Sequence, residues 1–523
     1  MRVLVCDNIS PKGVARLEAA PELEVIVVEG DLTDELLAEA EAVIVRSGTK
    51  VTPEVMAKAP KLRVVGRAGV GVDNVDVDHA TSRGIVVMNT PAGNTISTTE
   101  LTFSMMMALA RNIPRAHMSM TEGQWDRKAF AGTELSGKVL GVCGMGRIGG
   151  QVARRAIAFG MRVLAFDPYL SLNKARELQV ELLELDELLA RSDFITVHMP
   201  LTDQTRDMID EESFGKMKTG VYLINCARGG IINEADLVAA VQSGQVAGAA
   251  LDVYETEPCP ADSPLRAEPN IVLTPHLGAS TKEAQESVGI EVAEAVIDYL
   301  VHGAIRNAVN MPSLDAKTYE AVKPYILLGE KLGRLVAQLA PQRNDALTIT
   351  YGGKAAEVPA DPVTRCVLKG FLENAGGAEV NQVNVRALAS SLGIMVEEVK
   401  AHEGPDYAEW MHVEARAGEG KFSAGGTFFG GHPRIVRING RAVEADAEGV
   451  IFLMNNTDKP GMVGYIGSLM GEHGVNIASM SLNRDEAGGE ALTLLNLDHE
   501  PPAALLETVA ADPDISNVYV LKL

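Results

Sequence analysis

The sequence predicts an α/β protein: two doubly wound parallel-sheet domains, then a mixed α+β segment, then a ferredoxin-like βαββαβ module. Three observations carry this. Short apolar runs alternate with helical stretches twice over, first from Arg2 to Asn89 and again from Lys138 to Gly278. A glycine-rich turn opens the second series, and the chain from Val450 onward reads strand, helix, strand, strand, helix, strand. At 523 residues the chain is too long for one core, and division by about 150 residues per domain gives three or four.

The first series is RVLVC, EVIVV, AVIVR, LRVVGRAG and GIVVMN, with helices such as VARLEAA, TDELLAEAE and TPEVMAKAP between them. Such alternation builds βαβ units on a parallel sheet. Ser97 to Glu100 then reads as a capping box opening the buried helix LTFSMMMALARNI, which Pro114 should end. Met105 to Met107 read as core filler. The second series, KVLGVCGMGRIGG, RVLAFDP, FITVHMP, VYLINCARGG, VAGAALDVY and NIVLTPHLG, gives six strands of a complete doubly wound sheet. KEAQESVGIEVAEAVIDYL after Thr281 fits one helix. Near Pro312 the pattern changes to a helix around Tyr325 to Leu339, several short strands and the segment GGTFFGG.

The formal charge is 47 minus 70, or −23. A field of that sign repels phosphate backbones and anionic lipid, so nucleic acid and membranes are excluded as partners, while small anions remain open to local arginines. The five cysteines contain no C-x-x-C pair, so neither a disulfide framework nor a metal site is expected. MRVLVCDNIS lacks a signal peptide's apolar core, and no apolar run reaches about 18 residues. A soluble cytoplasmic protein is the expectation.

Gly144, Gly146 and Gly149 form G-x-G-x-x-G after one strand and open a helix, and Asp167 ends the next strand, 18 residues beyond Gly149. These glycines let backbone approach a pyrophosphate at a helix N-terminus. An acidic residue there accepts from ribose hydroxyls and repels a 2′-phosphate, so NAD is preferred over NADP. Three further strand ends carry Arg228, then Asp252 with Glu257, then His276. Oxidising an alcohol needs a base for the hydroxyl proton, a cation for a neighbouring carboxylate and a group that orients the base. His276, Arg228 and Glu257 supply these, and a carboxylate beside the histidine favours its imidazolium form. His198, also near a strand end, is the plausible impostor.

The segments GMGRIG, FDP, HMPLT, NCARGG, GAALDVYETEP and PHLGAST, with RSGTKVT, GRAGVGVDNVD, MNTPAGNT and GQWDRKAFAGTELSGK before them, resemble the D-isomer-specific 2-hydroxyacid dehydrogenases over essentially the whole chain. The resemblance implies that both α/β domains are Rossmann-like and that Arg228, Glu257 and His276 are the catalytic trio. It assigns nucleotide contacts to Gly144, Gly146, Arg147, Ile148, Gly149, Asp167, Cys226, Ala227, Arg228, Asp252, His276, Gly278 and Ala279. Val70 and Met199 stand where relatives often carry threonine, so only backbone contacts are expected of them. Arg46 and Arg67 fall in the motifs lining the substrate cleft and are expected to meet a phosphate or carboxylate, with Arg228; Arg127 is a weaker candidate.

The resemblance also implies a substrate domain split in sequence (1–97 plus 288–312), an inserted NAD domain (98–287), an intervening domain (313–449) and an ACT-type amino-acid-binding domain (450–523). Asp458, Pro460, Gly461 and Asn476 match the ACT effector pattern, and Asn456, which stands where some relatives carry an aromatic residue, is a further effector candidate. The implied activity is NAD-dependent oxidation of D-3-phosphoglycerate to 3-phosphooxypyruvate, a small phosphorylated 2-hydroxyacid reaction that begins a route to serine. L-serine is the implied effector and a homo-oligomer, a tetramer, the implied assembly. Two other readings stay open at this point: a reductase of glyoxylate, hydroxypyruvate or 2-oxoglutarate, and a non-catalytic NAD-sensing protein.

Overall fold

The computed structural model describes every residue except 313, 315, 374–379, 402–406 and 485, and the side chains of 316 and 317. The first sheet has five parallel strands in the spatial order Glu24–Val27, Arg2–Val5, Ala42–Val45, Val64–Arg67, Val86–Met88. Its central strand, Ala42–Val45, is buried on both faces, as the continuous apolar run requires. The second sheet holds seven parallel strands: Ile271–Leu273, Val246–Leu251, Val221–Asn225, Phe194–Val197, Val139–Cys143, Arg162–Phe166 and Glu181–Leu182. Sequence reading expects six. The seventh, Glu181–Leu182, has two residues, too few for any periodicity to register. Strand order reverses between Phe194–Val197 and Val139–Cys143, and the cleft outside the carboxyl ends there is where such sheets bind ligands.

Two local expectations are corrected. The helix begins at Thr95, with Asn94 at the N-cap position making no side-chain cap bond, so Ser97 and Glu100 lie inside its first turns and no capping box forms. The Ser97 hydroxyl instead donates to the Gly278 carbonyl at 2.7 Å, joined by Thr98 at 3.1 Å. This helix ends at Ala110, and Pro114 sits in the first turn of the next, Ile113–Thr121, where a missing N–H costs nothing. Helix Thr95–Ala110 packs on the second sheet and helix Lys282–His302 on the first. The chain therefore crosses between the sheets in the loops before those helices.

The third sheet is mixed, in the order Met395–Ala401, Ala346–Gly353, Glu409–Ala417, Gly420–Phe429, His432–Ile438, Arg441–Asp446. Helices Ala316–Leu339 and Ala360–Leu372 pack against each other over it. The last module is βαββαβ as expected: antiparallel strands in the order Ile477–Arg484, Glu490–Leu497, Val450–Thr457, Ile515–Lys522, with helices Met462–Glu472 and Ala503–Ala510. Those helices cover one face of its sheet through Phe452, Met454 and Leu495. The other face, with Ile451, Leu453, Leu492 and Leu494, merges into one core with Leu335 and Leu339 of the long helix. Val383 in turn is buried in the core of the first sheet, beside Asn381, whose amide donates to the Gly84 carbonyl at 2.8 Å. Among the described residues no helix is long and apolar enough to cross a membrane, and no cluster of three metal-ligating side chains occurs. All five cysteines are free.

Candidate active site

The glycine turn has the backbone that its spacing predicts. Gly144 lies at φ +94°, and a Cβ on Gly149 would sit 1.9 Å from the Gly144 carbonyl oxygen, so no other residue closes this strand-to-helix packing. Gly146 caps helix Arg147–Ala158 with no side chain on its first amides, which leaves those N–H groups for an anion. Asp167 ends its strand with Oδ2 accepting from the Met145 N–H at 2.7 Å and Oδ1 from the Tyr169 N–H at 2.8 Å. It thereby clamps the turn while its remaining lone pairs stay available to a ribose. Arg147 is exposed and Ile148 half-buried in the first helical turn. Met199 packs over Gly144.

Other expected nucleotide contacts lie deeper. Cys226 is buried, its thiol donating to the Met105 sulfur at 3.6 Å, and burial pushes it up to about 12. Only its backbone is left for a ligand. The Val70 carbonyl already accepts from Asn89 at 2.6 Å, and the Ala227 N–H donates to Asn225 at 3.0 Å. Asp252, 1% exposed, sits behind the cleft: Oδ1 accepts from the Thr274 hydroxyl at 2.6 Å and the Leu277 N–H at 2.7 Å, and Oδ2 from the Gly278 N–H at 2.9 Å. Burial still holds its carboxyl above the ordinary value. Its work is to fix the loop that carries His276, Gly278 and Ala279.

On that loop His276 takes a left-handed backbone, φ +54°, and its Nδ1 lies 2.7 Å from Glu257 Oε2. Glu257 Oε1 accepts from the Tyr254 N–H at 3.1 Å. Burial pushes the Glu257 carboxyl up, but the hydrogen bond and charge of His276 outweigh it, and the carboxyl settles below its ordinary value. With Nδ1 engaged, Nε2 is the ring's available base. His198 is the impostor: its Nδ1 is buried without a partner, and burial pushes the ring down to about 4.

Arg228 acts on Glu257 through its charge, and Arg67, at the end of its strand, lies within reach of the charges of Arg228 and Arg46. Arg228 donates from Nη1 to the Ala227 carbonyl at 2.6 Å, and a Cβ on Gly71 would meet its Nη2 at 2.0 Å. Arg67 has a buried Nε with no partner. Burial first, then the charges of Arg228 and Arg46, push it down to about 10, the behaviour of a cation short of an anion. The Arg46 backbone is pinned by Asp7, which accepts its N–H at 2.8 Å, and by Asn74, which donates to its carbonyl at 2.7 Å. Arg127 lies elsewhere, in a surface hollow with Trp125 and Phe130.

Sequence reasoning missed two residues. Asn94 has a buried, unpartnered Oδ1 at the joint before helix Thr95–Ala110, and Asp73 meets Arg228. Both stood in motifs already singled out, MNTPAGNT and GRAGVGVDNVD. Of the effector residues, Asn456 is corrected: it is 2% exposed and spent inside the sheet, accepting from Thr493 at 2.7 Å. Asp458 accepts from Arg484 at 3.0 Å and Asn476 donates to Asp498 at 2.8 Å, so no hydrogen bond joins the three.

Three family models match successive parts of the chain. Residues 103–278 match the D-isomer specific 2-hydroxyacid dehydrogenase NAD binding domain, 321–439 the D-3-phosphoglycerate dehydrogenase intervening domain, and 450–514 the ACT domain. The chain is 42% identical to D-3-phosphoglycerate dehydrogenase of Methanocaldococcus jannaschii, covering 100% of both, and 40% identical to that of Bacillus subtilis, covering 100% of this chain and 99% of the other. Among solved structures, D-lactate dehydrogenase of Aquifex aeolicus complexed with NAD and lactic acid is 31% identical with a TM-score of 0.53, covering 60% of this chain and 100% of that one.

Proposed function

The chain belongs to the D-3-phosphoglycerate dehydrogenase family of NAD-dependent oxidoreductases, and from that premise we propose how its own residues carry the reaction. The reaction is oxidation of D-3-phosphoglycerate to 3-phosphooxypyruvate, at the start of a phosphorylated route to serine. The turn fits the cofactor: Gly146 leaves the first helical amides open, and only glycine satisfies Gly149. Gly144 to Gly149 would hold the pyrophosphate and Asp167 the ribose. Bound there, NAD supplies the acceptor for the hydride that leaves C2.

Arg228 binds the substrate carboxylate and polarises the C2 oxygen. His276 Nε2 takes the hydroxyl proton, and Glu257 orients the ring through Nδ1 and stabilises the imidazolium that results. Arg67 and Arg46 hold the phosphate, the ligand that the unpartnered Arg67 Nε favours over an uncharged tail. The observation that carries the reading is the 2.7 Å His276–Glu257 pair, with Arg228 close enough to act on Glu257. His276→Ala should lower kcat for 3-phosphoglycerate by about 10² or more while NADH binding, measured by fluorescence, stays nearly intact. Near-normal turnover in that variant sinks the assignment.

A homo-oligomer is supported by the exposed apolar side chains Ile113, Met118, Met120 and Trp125 (78% exposed) on the nucleotide-binding half, and a tetramer by the family resemblance alone. L-serine as effector rests on Asp458 and Asn476, with Gly461 opening the helix between them at φ +94°.

A further inference from the structure

Asp73 is a carboxylate at this site to which the catalytic reading gives no work. It belongs to the loop after strand Val64–Arg67, and its Oδ2 lies 3.5 Å from Arg228 Nε across the cleft between the two parallel sheets. Both side chains converge over Gly71, where an added Cβ would sit 2.0 Å from Arg228 Nη2 and 2.7 Å from Asp73 Oδ2. Two features separate Asp73 from Asp7, the other carboxylate near these arginines. Asp7 is locked by three hydrogen bonds, from the Arg46 N–H at 2.8 Å and from the Thr49 N–H and hydroxyl at 2.9 and 2.7 Å. Asp73 has a side chain 79% exposed and a contact to Arg228 longer than a charge-assisted hydrogen bond, which is about 2.7–2.9 Å. A loose, solvated ion pair is weak and easily exchanged.

Resting on the assignment of Arg228 to the substrate carboxylate, we propose that Asp73 is a displaceable counter-ion, competing for Arg228 with the carboxylate of any incoming 2-hydroxyacid. It keeps the guanidinium extended toward the opposite sheet and gives way when a bidentate carboxylate arrives. Asp73 thus sets substrate affinity without taking part in proton or hydride transfer. Asp73 also acts on Arg67 through its charge, but its ion pair is with Arg228, so a phosphate bound by Arg46 and Arg67 feels only its field, which gives the idea a graded signature.

The test uses the full chain with NADH bound, at about 0.15 M salt so that long-range fields are screened. Oxalate, a planar dicarboxylate, probes Arg228, and inorganic phosphate probes Arg46 and Arg67. Asp73→Asn should tighten oxalate binding and lower the KM for 3-phosphoglycerate, each about three- to five-fold, leave kcat unchanged, and tighten phosphate binding clearly less than oxalate binding. Oxalate binding that is unchanged or weakened overturns the proposal, the latter by making Asp73 a fixed support for Arg228. Equal tightening of both probes also overturns it, since that reports the general field alone. Thermal unfolding of the variant guards against misfolding. Should the wild-type chain fail to turn over 3-phosphoglycerate, the assigned reaction falls, while the two binding arms still decide the role of Asp73.

Discussion

His276 holds a backbone conformation that non-glycine residues rarely adopt, and the surrounding contacts show what enforces it. Asp252 takes the two following amides, and Ser97 and Thr98 take the Gly278 carbonyl. The ring is thus delivered to Glu257 by anchors that never face the substrate. The pair also fixes the sign of a pH effect. Glu257 sits below the ordinary carboxylate range despite its burial, so it stays an anion until the pH drops under that range. Its contact to His276 Nδ1 at 2.7 Å is therefore kept through and above the ordinary carboxylate range and lost only when the pH falls below it. Glu257→Gln removes the charge that steadies the ring while it takes up the substrate proton, so kcat should fall about 10-fold or more with KM little changed. Steady-state kinetics checks this; an unchanged kcat would detach Glu257 from the base.

At the scale of elements, the strand–turn–helix from Val139 to Ala158 is where spacing alone dictated geometry, because each glycine answers a separate steric demand. Gly149→Ala would place a methyl 1.9 Å from a backbone oxygen, and backbone cannot swing aside as a side chain can. The helix must shift by a fraction of an ångström or more, moving its first amides off the pyrophosphate. Overpacking of this kind costs about 1–3 kcal/mol, so the Kd for NADH should rise roughly ten-fold, with a modest loss in Tm; unchanged Kd would show that the turn tolerates a side chain. The constellation of the proposed trio was similarly legible, since all three residues follow the carboxyl ends of neighbouring strands of one parallel sheet. Less legible were features decided by tertiary contact. Ser97 fits a capping box by sequence, but the Gly278 carbonyl claims its hydroxyl. Asn456 fits an effector motif, but Thr493 across the sheet claims its side chain. Asp73 looked like one acidic residue among many, because nothing local marks a partner on another domain.

At the scale of the molecule, the −23 charge and an anionic substrate are reconciled locally in the proposed site, by Arg46, Arg67, Arg228 and a helix N-terminus. The more consequential feature is how the tail is fastened. The face of the last sheet that its own helices leave open is covered by helix Ala316–Leu339, so residues 450–523 taken alone would expose Ile451, Leu453, Leu492 and Leu494, and ligand binding there is properly measured on the full chain. That combined unit reaches the first sheet through Val383, 3% exposed, and Asn381. Arg365 braces the same turn by donating to the Gln382 and Val383 carbonyls at 2.9 and 3.2 Å. A rigid contact to one half of a two-domain cleft is a route by which the tail can bias closure. Val383→Asp places a charge in an apolar core, a penalty that undocking relieves. Hydrogen exchange should therefore accelerate at Val77–Ser82 and Ile85, with Val139–Cys143 unaffected, and kcat should change less than two-fold because Arg228, Glu257 and His276 lie outside that core. Unchanged exchange at Ile85 would mean that the tail is held by other contacts, and a collapse of kcat would mean that docking is needed to build the cleft itself.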